Sequence, residues 1–485
     1  MQLSDLIYKA GIIETRGSTH LEISDVVFDS RQASDNALYV AIRGYTTDGH
    51  QYIDQAIAEG AKAVICEEIP EKAPPGITFI RVGDARKALA MVACNLYEHP
   101  SEHLKLVGVT GTNGKTTVAT LLYEVFTSLG YPCGLISTNG ILLAGEKLST
   151  SHTTPDALTI NRLLSQMASA GCSHVFMEVS SHALHQSRVG GLRFSGAIFT
   201  NLTQDHLDYH PSVKEYIQCK SMLFNQLPDD SFALTNLDDK NGLILVQNTA
   251  ARVYTYSLRA MADFKGRMLE NSFAGLHLDI DKNDVWCQLT GRFNAYNILA
   301  VYAAGRILEE EAAPLLTAIS ECKPPEGRFQ VINGNNKVKA IVDYAHTPDA
   351  LKNVLETINE IRTGNESLIT VIGCGGNRDK GKRGPMAVIA ASLSDKVIFT
   401  SDNPRYEAPE AIIADMEKGL DLDPSLKSKY VSITDREKAI NVACVMAHDG
   451  DIVLVAGKGH EKTQEIRGEK KHFDDKTILM NLLNR

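Results

Sequence analysis

Apolar and polar positions follow two different spacings along the first hundred residues. Short apolar runs lie at 25–29, 37–42 and 63–66, whereas residues 52–59 have helical spacing. Short apolar runs between polar turns predict buried strands, and the periodic stretch predicts a helix. Proline and charged residues at 67–75 predict a surface loop. This segment therefore predicts a small α/β domain over residues 1–100.

The same alternation continues in two longer segments. Strands are predicted at 104–109, 174–179 and 196–200, and then at 339–343, 368–373, 396–400 and 451–456. The run Lys-Pro-Pro-Glu-Gly at 323–327 would break any helix, so it predicts a linker. Strands that alternate with helices predict doubly wound, parallel sheets. We therefore predict an α/β protein with further domains at 101–328 and 329–485, the first with a mostly parallel sheet and the last Rossmann-like.

Composition agrees with three globular domains and excludes several classes of function. The 485 residues are 44% hydrophobic and 22% charged, and the net charge of −10 argues against a nucleic-acid binder. The chain has no apolar stretch of about 20 residues and begins without a signal-peptide pattern. Its nine cysteines are scattered, without zinc or disulfide spacing. A cytoplasmic protein without membrane insertion is predicted.

A glycine-rich loop follows the strand at 104–109. Residues 107–117 read Val-Gly-Val-Thr-Gly-Thr-Asn-Gly-Lys-Thr-Thr, and an apolar helical pattern follows. Gly111 and Gly114 let backbone N–H groups surround a phosphate, Lys115 adds a charge, and Thr116 offers a hydroxyl to Mg²⁺. The strict pattern has glycine where this chain has Val109. The segment predicts a P-loop in the central domain, and hence a bound nucleoside triphosphate.

Acidic and imidazole groups follow the next predicted strands. Glu178 ends one strand, and a carboxylate beside a P-loop strand is a typical ligand of nucleotide-bound Mg²⁺. Residues 200–210 contain His206, which could bind a metal while Asp205 holds its other nitrogen. The alternatives are a satisfied surface carboxylate at Glu178 and solvated loop histidines.

Four polar loops follow strands of the third segment. They lie at 343–349, 373–383, 400–405 and 456–461, and the second combines glycines with several cations. Because the ends of parallel strands meet at one edge of a sheet, the four loops predict one wall of a cleft. Any one of these loops alone could be a solvent-exposed loop without a functional role.

Taken in order, several of these motifs resemble the Mur ligase family, which builds the peptidoglycan stem peptide. They are the runs at 110–117, 201–208, 291–297, 327–329 and 343–349, so the resemblance covers nearly the whole chain. Asp29-Ser-Arg and Asp48-Gly-His resemble the UDP-binding domain of the members that add the third amino acid. Asp402-Asn-Pro-Arg is similar to the signature of those that take meso-2,6-diaminopimelate rather than lysine.

The resemblance implies an ATP-dependent ligase that uses Mg²⁺ and small-molecule substrates, and a monomer is predicted. It implies that ATP phosphorylates the γ-carboxyl of D-Glu in UDP-MurNAc-L-Ala-D-Glu, and that the amine of diaminopimelate attacks the acyl phosphate. Lys220 matches the position that carries a carbamate in this family, although on its own it would be read as an ordinary helix lysine. The implied catalytic residues are Lys115, Glu178, His206 and Lys220, and the implied metal ligands are Thr116, Glu178, His206 and carbamylated Lys220.

The resemblance also implies three groups of binding residues. The ATP group is Gly111, Thr112, Asn113, Gly114, Lys115, Thr116, Thr117, Asn294, Arg328 and His346. The UDP-sugar-peptide group is Ser30, Tyr45, Thr46, Thr47, Thr153, Thr154, Ser180, Gln186 and Arg188, and His152 has no assigned role. The diaminopimelate group is Arg378, Asp402, Asn403, Pro404, Arg405, Gly457 and Glu461.

Three other functions stay open at this point. A folylpolyglutamate synthetase resembles the central and C-terminal parts but is expected to lack the first hundred residues. A lysine-adding ligase is closer, and the Asp-Asn-Pro-Arg run at 402–405 argues against it. A P-loop switch or transport ATPase would need no cationic wall in its third domain and no amine substrate.

Overall fold

The computed structural model describes residues 1–44, 47–143, 145–148, 153–203, 209–210, 212–335, 337–421 and 423–484. Within these ranges, three short 3₁₀ helices lie at Ser30–Gln32, Gly49–Tyr52 and Pro100–His103.

The first sheet is small and mostly parallel. Within the described residues its strands are β1 Ile12–Arg16, β2 Val26–Val27, β3 Leu38–Val40, β4 Ala63–Cys66 and β5 Thr78–Val82. Strands β2 to β5 are parallel neighbours, and β1 adds an antiparallel edge beside β5. Helices α1 Leu3–Leu6 and α3 Ala85–Leu96 bury apolar side chains against one face, and α2 Ile53–Ala58 covers the other. Alternate strand residues thus supply two cores.

The central sheet is the largest. Its described strands are β6 Lys105–Thr110, β7 Cys133–Ser137, β8 Gly140–Leu143, β9 Glu146–Leu148, β10 His174–Glu178, β11 Gly196–Phe199, β12 Phe232–Asn236, β13 Arg252–Ser257, β14 Phe264–Ser272, β15 Gly275–Ile280 and β16 Asn283–Cys287. Its helices are α4 Lys115–Ser128, α5 Ala157–Ser169, α6 Ser181–His185, α7 Val213–Asn225, α8 Gly242–Val246, α9 Arg292–Ile307 and α10 Ala312–Glu321. The strand order is β16-β15-β14-β13-β12-β11-β6-β10-β7-β8-β9.

Strand β6 lies in the interior of this sheet, between β11 and β10. Parallel register sets Val109 opposite Glu178 and Thr110 opposite Phe199, so these strand ends share one edge. Helices α4 and α9 bury one face of the sheet, and α5 and α7 bury the other. Val109, which departs from the strict P-loop pattern, is fully buried in the sheet.

The third sheet is again mostly parallel. Its described strands are β17 Gln330–Asn333, β18 Lys339–Asp343, β19 Leu368–Ile372, β20 Lys396–Phe399, β21 Tyr430–Ser432 and β22 Ile452–Ala456, and a separate hairpin follows, β23 Thr463–Ile466 with β24 Glu469–His472. The helices are α11 Pro348–Ile361, α12 Arg383–Leu393, α13 Pro409–Lys418, α14 Pro424–Lys427, α15 Arg436–Met446 and α16 Asp475–Leu483. The order β17-β18-β22-β19-β20-β21 sets the polar loops after β18, β22, β19 and β20 side by side.

The predicted three-part α/β architecture is confirmed, including the mostly parallel central sheet. Antiparallel pairing joins β1 to β5 and β17 to β18, and it joins the strands within the runs β7–β8–β9 and β14–β15–β16. Antiparallel pairing therefore occurs towards the ends of the sheets, whereas the strands around β6, β10 and β11 are parallel. Among the described residues, no helix combines the length and the apolar character needed to cross a membrane.

Candidate active site

The loop between β6 and α4 has the geometry of a phosphate cradle. Gly111 has φ +151°, and a Cβ there would lie 1.9 Å from Thr200 Oγ1, so only glycine fits. The backbone N–H of Asn113 donates to Asn201 Oδ1 at 3.0 Å, which fixes the loop against the residues after β11. Helix α4 begins at Lys115, so its N-terminal dipole points at the loop.

Two lysines point at this loop. Lys115 Nζ donates to the carbonyl oxygens of Gly111 and Thr112 at 2.9 and 2.8 Å. Lys220 Nζ, from α7, donates to the same Gly111 carbonyl at 2.8 Å and lies 4.7 Å from the centre of the Tyr216 ring. The Lys220 side chain is 1% exposed. The fold therefore places Lys220 against the P-loop, although the two are distant in sequence.

Glu178 is a buried carboxylate at the end of β10. It is 1% exposed, and its oxygens accept hydrogen bonds from the backbone N–H and the hydroxyl of Thr138 at 2.7 and 3.3 Å. In the described part of the chain no Lys, Arg or His lies within ion-pair distance of it. A buried carboxylate without a cation is costly, so the residue fits a site for a metal ion.

Contacts across the linker join the central and C-terminal parts. Arg328 Nη2 donates to Thr116 Oγ1 at 2.9 Å, and its guanidinium lies 4.5 Å from the centre of the Tyr344 ring. Asn113 Nδ2 donates to Asp349 Oδ2 at 3.1 Å, and burial raises the pKa of Asp349. The P-loop therefore lies directly against the first loop of the third sheet.

One cleft connects these groups. Its volume of about 1940 Å³ exceeds the usual volume of a single-ligand pocket, so it can hold more than one substrate. The predicted site residues that line it are Thr112, Asn113, Gly114, Lys115, Thr116, Thr117, Thr153, Thr154, Glu178, Ser180, Arg188, Lys220, Arg328, His346, Arg378, Asp402, Asn403, Arg405, Gly457 and Glu461.

Other predicted residues lie elsewhere. Ser30 and Thr47 belong to the N-terminal sheet region, where Ser30 Oγ donates to Gln55 Oε1 at 3.1 Å. Gly111 and Pro404 flank lining residues, and Gln186 is hydrogen-bonded to the lining residue Arg188, but these three do not line the cleft themselves. Tyr45, Thr46, His152, Asp205 and His206 lie outside the described residues.

Asn294 does not face the cleft. The residue is 3% exposed, and its amide is held at the start of α9, since Nδ2 donates to the Thr290 carbonyl at 2.8 Å and Oδ1 accepts from Asn297 Nδ2 at 3.0 Å. Asn297, one turn later, lines the cleft, and a Cβ on Gly114 would lie 2.5 Å from its Oδ1. The structure thus sets Asn297, which the motif at 291–297 contained but we did not select, beside the P-loop.

A hydrogen-bonded chain of side chains holds Arg188. Its Nη1 donates to the Thr154 carbonyl at 2.7 Å, and its Nε and Nη2 donate to Gln186 Oε1 at 3.1 and 2.8 Å. Gln186 Nε2 in turn donates to Tyr209 Oη at 3.1 Å. Burial lowers the pKa of Arg188 from its usual value, because desolvation disfavours the charged form. A fixed, partly desolvated guanidinium of this kind suits a carboxylate ligand.

Arg405 lies at the other end of the cleft. Its Nη1 donates to the Gly376 carbonyl at 2.9 Å, and its Nε lies 3.7 Å from Glu465 Oε2. Among the described residues its Nη2 has no hydrogen-bond partner, although the side chain is only 21% exposed. Two sides of the guanidinium are therefore fixed, and one is open to a ligand.

The side-chain oxygen of Asn403, unlike the guanidinium of Arg405, has no open position. Its Oδ1 accepts hydrogen bonds from Lys458 Nζ and from the Glu465 N–H, both at 3.0 Å, and its Nδ2 donates to Glu461 Oε2 at 2.7 Å. No lone pair of Oδ1 remains for a ligand ammonium. The structure therefore favours Glu461 and Asp402, rather than Asn403, as acceptors for such a group.

His460 is a further group that we did not select from the sequence. It lines the cleft beside Arg328, and burial together with that cation lowers its pKa to about 3. The imidazole is therefore neutral at pH 7. The run at 456–461 contained it, but only the fold shows that it is enclosed.

A buried arginine fixes the loop that carries Arg378. Arg383 Nη2 donates to both oxygens of Glu407 at 3.0 Å, and Glu407 also accepts from the Asn377 N–H. Arg378 itself is exposed at the rim of the cleft. The Arg383–Glu407 pair thus ties the loop after β19 to the chain just beyond Arg405.

Glu407→Gln is expected to lower the free energy of unfolding by about 2 kcal/mol at pH 7. Hydrogen bonds from Arg383 hold the pKa of Glu407 at about 2, below its ordinary 4.5. The carboxylate stabilises the fold fully above pH 4.5, and this contribution is lost as the pH falls towards 2. Urea unfolding at pH 7, 5 and 3 should therefore show the gap between wild type and variant shrinking by more than half. An unchanged gap at pH 3 would contradict this, and Glu410→Gln is the control.

Three family models match the chain in order. They are "Mur ligase family, catalytic domain" over residues 22–97, "Mur ligase middle domain" over 109–305, and "Mur ligase, glutamate ligase domain" over 327–459. A Cytophaga hutchinsonii protein named UDP-N-acetylmuramoyl-L-alanyl-D-glutamate--2,6-diaminopimelate ligase is 51% identical over 485 residues, covering 100% of this chain and 99% of that relative. A Bacteroides thetaiotaomicron protein of the same name is 51% identical over 484 residues, covering 100% of both chains. A solved structure of that name is 32% identical, covers 100% of this chain and 98% of its own, and has a TM-score of 0.69.

Proposed function

Because the chain belongs to the Mur ligase family, an ATP-dependent family, we propose that it joins meso-2,6-diaminopimelate to the D-Glu γ-carboxyl of UDP-N-acetylmuramoyl-L-alanyl-D-glutamate. One structural observation supports the proposal independently of the relatives' names. A single cleft is lined by the P-loop at one end and by the Arg405 and Glu461 loops at the other. Such a cleft can hold a phosphate donor and an amino acid together.

The chemistry needs an activated acid. A carboxylate is a poor electrophile, so transfer of the γ-phosphoryl group to the D-Glu carboxylate gives an acyl phosphate. The amine then attacks, and phosphate leaves from a tetrahedral intermediate. Bringing phosphates and a carboxylate together is opposed by charge repulsion, and the protein contributes mainly positioning and cations.

The P-loop residues would bind the triphosphate. Lys115 would exchange its present contacts with loop carbonyls for the phosphate oxygens, and the start of α4 would face them. Arg328, which reaches Thr116 from the linker, would contact the nucleotide from the C-terminal side. We assign the adenine end to the α9 face that carries Asn297, in place of Asn294.

The residues present fit magnesium. Thr116 and Glu178 offer hard oxygen ligands, and Glu178 is a buried carboxylate with no cation of its own among the described residues. The described side chains hold no group of three or more His, Cys, Asp and Glu that could bind a metal, and the proposed ligand His206 lies outside them. Magnesium, when bound, would supply charge neutralisation at the phosphates.

Lys220 is proposed to carry a carbamate. An ammonium beside magnesium would be repelled, whereas the product of lysine and CO₂ is an anion that retains one N–H. That N–H can keep the hydrogen bond to the Gly111 carbonyl, now 2.8 Å long. Burial among Tyr216 and the P-loop would protect a labile group from water.

The acceptor substrate would extend from the N-terminal sheet into the cleft. Arg188, with Thr153, Thr154 and Ser180, is proposed to bind the peptide carboxylates, and Gln186 orients Arg188. Ser30, Thr47 and the neighbouring Tyr45 and Thr46 are proposed for the UDP end.

The amine substrate would lie between Arg405 and Glu461. The open Nη2 of Arg405 suits the distal carboxylate of diaminopimelate, which lysine lacks. Glu461 and Asp402 would accept from the ammonium at the same end, and Arg378 lies at the rim. Without the distal carboxylate, the desolvated guanidinium would stay unpaired, so lysine should be rejected.

Phosphate release should require both substrates and the correct amine. We expect ATP hydrolysis to be coupled to UDP-MurNAc-L-Ala-D-Glu and meso-diaminopimelate, with lysine and ornithine at least about 10²-fold poorer. The measurement is phosphate release with each amine in turn, with mass spectrometry of the UDP-linked product. Equal turnover with lysine would refute the choice of amine, and release without any amine would favour a switch or transport ATPase.

A further inference from the structure

A lysine is enclosed directly behind the proposed amino-acid site. Lys458 is 0% exposed, and its Nζ donates to Asn403 Oδ1 at 3.0 Å, to Glu461 Oε2 at 3.1 Å and to the Thr463 carbonyl at 2.7 Å. These three acceptors use all three N–H bonds of the ammonium group. A buried charge is tolerated when it is paired and fully hydrogen-bonded in this way.

The turn after β22 directs this side chain inward. Gly457 has φ +111°, and a Cβ there would lie 2.8 Å from Asp402 Oδ2. Only glycine permits both the turn and the close approach, and Lys458 then enters the protein behind Asp402 and Asn403. The ammonium thus connects the loops after β20 and β22 with the hairpin of β23.

The contacts of Lys458 determine what Asn403 and Glu461 can offer a ligand. Lys458 donates to Oδ1 of Asn403 and so fixes the orientation of the amide. The amide nitrogen of Asn403 then faces Glu461 and donates to its Oε2. Oε2 of Glu461 therefore accepts hydrogen bonds from both Asn403 Nδ2 and Lys458 Nζ. Its Oε1 has no hydrogen-bond partner among the described residues, and the side chain is 31% exposed in the cleft.

We propose that Lys458 is a positioning residue for the amino-acid substrate. By holding Oε2 of Glu461 and the Asn403 oxygen, it presents Oε1 of Glu461 to the ammonium group of the incoming amino acid. The inference rests on the proposed function, and it adds that the charge on Lys458 acts through Glu461. Lys458 itself is shielded from the ligand.

Lys458→Met tests the proposal at nearly constant side-chain length. The KM for diaminopimelate should rise about 10- to 100-fold, because a charged hydrogen bond that orients Glu461 is lost. The KM values for ATP and for the UDP-linked peptide should stay within about twofold. Lys438→Met, on the exposed surface of α15, is the control. Equal increases of all three KM values, or an unchanged KM for diaminopimelate, would overturn the proposal.

A double-mutant cycle with Glu461→Gln separates positioning from a general structural role. If Lys458 acts through Glu461, the double variant should have nearly the KM of Glu461→Gln alone, whereas independent effects would multiply. Lys458→Gln is a second variant, since its amide can donate to the Thr463 carbonyl while the charge is lost, and the same KM pattern is expected. Multiplying effects would overturn the proposal. Inactivity of the wild type with diaminopimelate would instead refute the proposed function.

Discussion

Replacing Lys115 by methionine is expected to slow phosphate release by about 10³-fold at saturating substrates. Lys115 begins α4, and its ammonium already lies against the P-loop, hydrogen-bonded to the Gly111 and Thr112 carbonyls. In the proposed reaction that charge faces the transferred phosphoryl group, where negative charge is redistributed in the transition state. Removing one such preorganised donor typically costs about 10²- to 10³-fold, and the loop contacts are lost as well.

Two measurements distinguish this effect from a loss of folding. The far-UV circular dichroism spectrum and the unfolding midpoint of Lys115→Met should match those of the wild type within experimental error, since Lys115 is only partly buried. Lys105→Met is the matched control, because Lys105 is an exposed residue at the start of β6, the strand that leads into the P-loop. A rate of phosphate release by Lys115→Met within threefold of the wild type would contradict a role of the P-loop in phosphoryl transfer.

Strands buried on both faces were predictable from the sequence. Strand β18 occupies 339–343, as predicted, because a run of Ala, Ile and Val between polar residues is typical of a strand that is buried on both faces. Strand β16 at 283–287 was not predicted, because its burial alternates and its residues include Asn and Asp. Antiparallel edge strands with a solvated face carry a weaker apolar signal than interior strands.

In the site, too, features formed by consecutive residues were predictable, whereas features formed by residues distant in sequence were not. The P-loop was predictable because its function resides in consecutive residues and their backbone. Asn297 and Lys458 were not selected, although both lie within motifs that drew attention. Their importance depends on contacts with Gly114 and Asn403, which lie far away along the chain. The domain limits 1–100, 101–328 and 329–485 stay predictions, although the matched families follow the same order.

The hydrogen bonds to the Asn403 side-chain oxygen also change how selection of the amine should be understood. Family resemblance supplied a list of contact residues, but it did not distinguish residues that touch a ligand from residues that hold others. In this fold Asn403 joins Lys458 to Glu461, and Glu465 and Gly376 hold Arg405. Among the described residues, Nη2 of Arg405 and Oε1 of Glu461 have no hydrogen-bond partner, and Asp402 offers a second carboxylate to the cleft. Selection of the amine should therefore depend on these three side chains.

Arg405→Ala is accordingly expected to lower kcat/KM for diaminopimelate by about 10²- to 10³-fold, while the KM for ATP changes less than about twofold. The loss of a charge-assisted pair with the distal carboxylate accounts for this size. Arg405→Lys should recover only part of the activity, since a lysine cannot keep the contact with the Gly376 carbonyl and also offer a planar fork. Lysine as a substrate should be affected far less, so the preference for diaminopimelate over lysine should narrow in both variants.

The measurement is phosphate release at varied diaminopimelate or lysine, for the wild type and both variants. Arg267→Ala, which removes an exposed arginine on β14, controls for the loss of a surface charge. Unchanged discrimination between the two amines in Arg405→Ala would mean that the distal carboxylate is recognised elsewhere, with Arg378 at the rim as the next candidate. A parallel loss with both amines would mean that Arg405 supports the fold of the 402–405 loop, since it is hydrogen-bonded to Gly376 and lies beside Glu465, rather than selecting the substrate.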